Sequence, residues 1–379
     1  MKNKIKYAIA VFITLVIVIV SINLFQPIRE QRIRGSIEIL VSDSSYDYLV
    51  KCANNFMELN DKTTVKISKM DSYKQIEDAI KEPNKVNQYN IVQIDRYNFE
   101  KLDISNMQYY DEETEILNTY NKNFSKYRVN QVMHDDKVVG IPLTSRPLAL
   151  YVREDMLKEY GYSREDMNTW KDVITIGKDI YEKSGGKIRI INATGQDYED
   201  LLDLLTMQNL EKDKEIKDIK EEINNKVQEL KDNNILNLED GGAFLARISS
   251  INAIKEITAI EEPCEWSVGN VPSSEPGTNK FFAGEGDNLV VLNQGSSNSQ
   301  LIEKFITYVM TSNKDTIKYV KNGDFFSSYL YTYKNKEIEE QLKNFVGKSP
   351  LIVLSNIEDK VLECEDYDKY LEVKKELRS

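Results

Sequence analysis

The sequence predicts an α/β protein of two lobes, preceded by one N-terminal transmembrane helix. Three observations carry this. Beyond residue 34, short β-branched runs alternate with segments whose apolar residues recur at helical spacing. About 345 residues remain after the N-terminal stretch, too many for one small core and suited to two lobes of roughly 100–200 residues each. The one long apolar run lies at the N-terminus.

That run extends from Tyr7 to Phe25 behind Lys2, Lys4 and Lys6, with Thr14, Ser21 and Asn23 as its polar interruptions. Nineteen residues, at a rise of about 1.5 Å each, approach the hydrocarbon thickness of ~30 Å. The lysines place the N-terminus inside and the bulk of the chain outside. The run ends Ser21-Ile22-Asn23-Leu24-Phe25-Gln26-Pro27, a poor cleavage site for a signal peptide, so an uncleaved signal anchor is expected. Residues 1–34 form the anchor and its charged linker, and the expected location is the cell membrane, single-pass, with the rest extracellular.

The alternation then begins. Ile37 to Val41 is a strand, and Leu49, Cys52, Ala53 and Phe56 share one helical face. Val65 to Ile67 is a second strand, Tyr73, Ile76 and Ile80 mark a second helix, and Ile91 to Ile94 is a third strand. This order implies parallel strands with helices on the sheet faces. Leu148 to Val152 is another strand, followed by a helix at Met156 and Leu157. Thr169 caps a helix through Trp170, Val173 and Ile174, Ser184-Gly185-Gly186-Lys187 is a turn, and Ile188 to Ile191 a strand. From 211 to 234 the chain is rich in Lys, Glu and Asp, with Ile216, Ile219, Ile223, Val227 and Leu230 on one face. Two heptads are short of a secure coiled-coil arm, so a surface helix packed on its own lobe is expected. Trp266 to Val271 and Asn288 to Asn293 are strands, and Leu301 to Met310 a helix with Ile302, Phe305, Ile306 and Val309 inward.

Composition narrows the function. Charged residues at 30% and apolar residues at 41% describe a globular chain, not a disordered one. A net charge of −12 argues against a nucleic-acid partner, which needs clustered Lys and Arg. Cys52, Cys264 and Cys364 are far apart, allow at most one disulfide and form no metal motif. The sole histidine, His134, stands beside Asp135 and Asp136 and near no nucleophile motif. No catalysis, cofactor or metal is expected.

Several stretches resemble one family. Gly140-Ile141-Pro142, six residues, then Ala149-Leu150-Tyr151-Val152-Arg153-Glu154-Asp155 resembles the G-x-P … L-x-Y-N-K-D segment of solute-binding proteins of bacterial ABC importers. Tyr160-Gly161, Thr169-Trp170 and Gly177-Lys178 resemble its helix after a P-x-T-W turn. Trp266 to Pro272, Pro276-Gly277 and Gly284 to Val291 resemble its W-x-V-x-P-x-P segment and return strand, and Ile302 to Thr311 a later helix. The nearest branch is the sugar-oriented one, like maltose-binding protein. The resemblance implies a periplasmic-binding-protein type II fold with a multi-crossing hinge. Lobe one would hold 35–144 plus 278–318, and lobe two 145–277 plus 319–379. It also implies a small polar solute, carbohydrate favoured, bound between the lobes, an ABC permease as partner and a monomeric soluble part. A membrane-anchored sensor with the same fold is an alternative, since no lipobox cysteine is present and the charged helix has no counterpart in the family pattern. An anchored glycan-processing enzyme is a third reading.

Ligands of open α/β sheets sit beyond the carboxyl ends of the strands. That points to Asp43, between Ser42 and Ser44, and to Asp95 and Arg96, before Tyr97. Asp95 and Arg96 would equally cap the next helix. Arg146 lies at the first hinge crossing, where a guanidinium grips a carboxylate or paired hydroxyls, or else forms an inter-lobe salt bridge. Glu285 and Asp287 precede a strand near the second crossing. Phe244, after Gly241-Gly242-Ala243, aligns with a stacking aromatic of the family; core packing is the competing role.

Overall fold

The computed structural model describes residues 33–81, 89–96, 98, 112–134, 137–212, 214–292, 298–311, 313–363 and 366–377. The expected anchor, Tyr97, Asn293 and Cys364 lie outside the described residues. Among the described residues no helix is long and apolar enough to cross a membrane.

The strands are β1 (Gly35–Val41), β2 (Thr63–Lys69), β3 (Tyr89–Asp95), β4 (Met133–His134), β5 (Lys137–Val138), β6 (Ile141–Pro142) and β7 (Thr144–Arg153). They continue as β8 (Ile188–Asn192), β9 (Leu236–Asn237), β10 (Ala243–Ser249), β11 (Trp266–Asn270), β12 (Phe282–Gly284), β13 (Asp287–Val291) and β14 (Phe326–Ser327). One sheet runs β2-β1-β3-β13-β6, with β1, β2 and β3 parallel and β13 antiparallel to β3. The other runs β11-β7-β10-β8-β9, with β12 and β14 also paired to β7. β4 and β5 form a separate ribbon.

The helices are α1 (Asp43–Leu59), α2 (Tyr73–Lys81), α3 (Glu112–Tyr120), α4 (Lys126–Gln131), α5 (Glu154–Glu159), α6 (Trp170–Lys183) and α7 (Gly195–Leu210). After them come α8 (Ile216–Asp232), α9 (Asn252–Ala259), α10 (Ser299–Thr311), α11 (Asn313–Lys321), α12 (Pro350–Glu358) and α13 (Tyr367–Leu377). Thr169 caps α6 as the sequence predicts. Its hydroxyl accepts from the Asp172 backbone N–H, and Asp172 reaches back to the Thr169 N–H. α8 lies on its own lobe with Ile219, Ile223, Val227 and Leu230 buried.

Strand alternation sets the layers. In the first sheet Ile37, Ile39, Val41 and Ile91 face α1 and α10, while Leu40, Val92 and Ile94 face Ile76 and Ile80 of α2. In β7, Leu148, Leu150 and Val152 face α6, α7 and α8, while Ala149 and Tyr151 belong to the core that α1 and α12 share. That core is continuous from the first sheet through the hinge to Leu351 and Leu354.

The chain passes between the sheets at residues 142–146 and again at 284–287, where β12 pairs with β7. A third passage follows α11, and β14 pairs with Ser145 and Thr144. The first two passages run close together. A Cβ on Gly286 would stand 2.1 Å from the Thr144 carbonyl oxygen, so glycine is required there. Beneath them lies Arg128, fully buried. It donates to the carbonyls of Thr144 and Asp287 at 3.0 Å each and to Asn288 Oδ1 at 2.8 Å. Glu358 of α12, also fully buried, accepts from Ser125 Oγ and Tyr127 Oη at 2.9 Å each. Backbone groups of both hinge strands are thus satisfied by one guanidinium.

Candidate ligand-binding cleft

Because β1 and β3 are parallel, their carboxyl ends bring residues 42–45 and 93–96 side by side. Gln93 ties them together. Its amide nitrogen donates to Ser42 Oγ at 2.7 Å and Ser45 Oγ at 3.1 Å. Asp287 opens β13 in register with Asp95. It accepts from Ser44 Oγ at 3.3 Å and Thr144 Oγ1 at 3.4 Å. Burial, and then the neighbouring Asp95 carboxylate, push the Asp287 carboxyl above its ordinary range. Asp95 accepts from Tyr73 Oη at 2.5 Å and from the Asn98 N–H at 2.7 Å, so it caps the following turn while lining the strand end. Asp43 points outward instead. It pairs with Lys69 at 2.5 Å, its side chain 82% exposed.

The second wall belongs to β7 and α7. In the second sheet β8 and β10 are parallel and β7 antiparallel to β10, so the carboxyl ends of β8 and β10 and the start of α7 lie toward the hinge. Arg146 stands opposite Gly284 and pairs with Asp200 of α7 at 2.5 Å. Asp200 is fully buried and the Arg146 side chain is one-third exposed. Burial raises the Asp200 carboxyl despite the arginine beside it. Asp197, Asp200 and Asp203 recur along one face of α7, and each meets a cation from a different segment. Their partners are Arg247 at 2.7 Å, Arg146, and Lys374 at 2.7 Å.

Between these walls lies Glu285, raised chiefly by burial. It accepts from Tyr367 Oη at 3.1 Å. The Arg96 guanidinium covers the Tyr367 ring at 4.0 Å from its centre. Tyr370 stacks beneath Tyr367 at 5.5 Å. A small cavity of about 40 Å³ lies among Tyr127, Gln131, Gly284, Glu285, Tyr367 and Tyr370.

The structure therefore gathers Asp95, Arg96, Arg146, Glu285 and Asp287 around the hinge. Phe244 is elsewhere. It lies at the amino end of β10, 6.3 Å from Trp266, which pairs with Arg153. Arg153 is seven residues along β7 from Arg146, about 23 Å at the rise of a strand. Sequence reasoning missed Gln93, Asp200, Tyr367 and Tyr370. Gln93 carried a signal, a polar residue inside the apolar run Ile91 to Ile94; the tyrosines carried only a three-residue spacing.

A larger groove of about 460 Å³ opens beside Trp170, Gln208, Lys212, Glu222, Lys226 and Glu275. It sits at the carboxyl end of α7, roughly 18 Å along that helix from Gln196, and away from the strand ends. Among the described residues no cluster of His, Cys, Asp and Glu is arranged to hold a metal. The hinge residues offer hydrogen-bond acceptors, a partly exposed arginine and aromatic faces, groups suited to holding a polar ring.

Residues 51–330 match the family of bacterial extracellular solute-binding proteins. A lactose-binding protein of Rhizobium radiobacter is 36% identical over 72 residues, 18% of this chain and 17% of that relative. The sugar-binding protein MalE of Xanthomonas citri superposes with a TM-score of 0.71 at 11% identity, covering 91% of this chain and 92% of that one. The GacH receptor of Streptomyces glaucescens, studied unliganded and with acarbose, superposes at 0.67 and 15% identity, covering 91% and 94%. These structural likenesses establish the two-lobed α/β fold.

Proposed function

The chain belongs to the bacterial extracellular solute-binding protein family, and we propose that it is the receptor of an ABC importer, holding a small carbohydrate in the hinge cleft without transforming it. The observation that carries this reading is the convergence of strand ends from both sheets on one polar site. Asp287 and Asp95 come from one side, Arg146 and Asp200 from the other, with Glu285 between them. Carboxylates and a guanidinium match the hydroxyls of a sugar, and the relatives named above are described as binding lactose, sugar and acarbose.

The expected lobes, 35–144 plus 278–318 and 145–277 plus 319–379, fit sheet membership once two boundaries move: β12 pairs with β7, which favours a second crossing at 284–287 instead of 278, and the last crossing falls after α11 rather than within it. The apolar run Tyr7–Phe25 supports a membrane anchor that stays attached. Thermal unfolding against maltose, lactose, amino acids, short peptides and polyamines tests the ligand class. A bound sugar at about 100 times Kd stabilises by roughly 2.7 kcal/mol. A shift with an amino acid, peptide or polyamine and none with either sugar contradicts the carbohydrate assignment.

A further inference from the structure

We propose that Tyr367 is an internal occupant of the cleft: its ring holds the place of the solute, and solute binding displaces it. The inference rests on the cleft being the solute site. α13 is rooted on the second lobe. Val373 is fully buried in the core of α6, α7 and α8, and Tyr370 is nearly so. Lys374 pairs with Asp203 at 2.7 Å, and Glu376 with Lys220 of α8 at 3.4 Å. Tyr367, the first residue of the helix, leaves that footing. Its hydroxyl donates to Glu285 in the hinge, and its ring lies under Arg96, which follows β3 of the opposite sheet. One side chain thus ties the C-terminal helix to the hinge and to the other lobe.

The groups that hold Tyr367 are ones that also hold a sugar, with the cation–π contact of Arg96 replaced by hydrogen bonds. A pyranose also offers a flat C–H face and a hydroxyl at its edge. Glu285 accepts from such a hydroxyl, and a guanidinium donates to paired ones. With Tyr367 in place, the cavity beside it is about 40 Å³, room for a few waters at most, where about 10–15 Å³ holds one. Pockets for small ligands measure about 300–1,000 Å³. A ring enters between Arg96 and Glu285 only when Tyr367 leaves. Unwinding the first turn of α13 suffices, since the anchors at Val373 and Lys374 stay behind, and helix ends open at low cost. The rival arrangement, Tyr367 as a platform under the solute, has the opposite consequence: removing a competitor tightens binding, whereas removing a platform loosens it.

The test uses the full chain, with maltose and lactose as probes in titration calorimetry, and X-ray scattering without ligand. If the unlatched form is about 1–10% populated, Tyr367→Ala tightens sugar binding by roughly 10- to 100-fold. The ligand-free lobes separate, and the radius of gyration rises. Tyr367→Phe keeps the stacking and loses the Glu285 hydrogen bond, so it gives a smaller gain and guards against misfolding of the alanine variant. Equal or weaker sugar binding by Tyr367→Ala overturns the proposal. If neither sugar binds either protein, the carbohydrate reading fails and scattering decides the latch. Expansion of Tyr367→Ala supports it, and an unchanged profile overturns it.

Discussion

Arg146 and Glu358 show how buried charge is managed residue by residue. Removing one partner of a fully buried ion pair costs about 3–5 kcal/mol. Arg146 is one-third exposed, so solvent screens part of its charge and Arg146→Ala is expected to cost about 1–3 kcal/mol. Asp200→Asn in the same chain then restores most of the loss. Urea unfolding of both single variants and the double variant checks this, and additive losses refute the coupling. Glu358 makes a prediction about pH. Burial raises its carboxyl above the ordinary 4.5, with Arg128 opposing. A raised folded pKa means that the native state holds the proton more tightly than the unfolded chain. The stabilising contribution is complete below about 4.5 and is lost as pH climbs through the folded value. Asp197, Asp200, Glu285 and Asp287 are raised by burial too and act in the same direction. Melting temperature should therefore decline above about pH 5, and less steeply in Glu358→Gln. Identical slopes would remove Glu358 from this role.

Helices and strands with one buried face were legible in the sequence. α1 and α10 bury the whole apolar stripe that the spacing predicts, and α6 and α8 bury theirs except for Ile174 and Ile216, which are partly buried. For α8 this decides between a free arm and a packed helix. Ile223 is fully inaccessible, so Ile223→Ala should cost about 2–5 kcal/mol in denaturant unfolding. A loss under ~0.5 kcal/mol would fit a solvent-exposed arm instead. α7 escaped notice because it has no polar face to contrast with an apolar one. It buries Asp197, Asp200 and Asp203 as well as Leu201, Leu204 and Leu205. β10 was hidden by Arg247, whose charge is neutralised only by Asp197 and Glu256 from elsewhere in the chain. The candidate site divides the same way. Asp95 and Arg96 follow from the rule that ligands sit at the carboxyl ends of strands, which also named the outward-pointing Asp43, while Glu285 and Asp287 follow from their place before a strand near the second hinge crossing. Tyr367 reaches the cleft through tertiary folding of the C-terminus, which no local pattern announces. Phe244 lies at the end of β10 away from the hinge and packs beside Trp266, in keeping with the core-packing role that competes with a stacking one.

At the scale of the whole molecule, three chain passages and one shared core join two sheets whose strand ends meet at the hinge. The Arg128 and Glu358 network fixes the hinge strands, while Tyr367 and Arg96 bridge the gap beside them. The polar cleft, not the larger groove beside Trp170, is the expected seat of the solute. Hydrogen exchange with and without a saturating sugar tests this most directly, because it maps protection along the whole chain. Slower exchange is expected in residues 89–96, 188–200 and 284–291, with residues 208–229 unchanged. Protection confined to one sheet, or centred on the groove at Trp170 and 208–229, would contradict it.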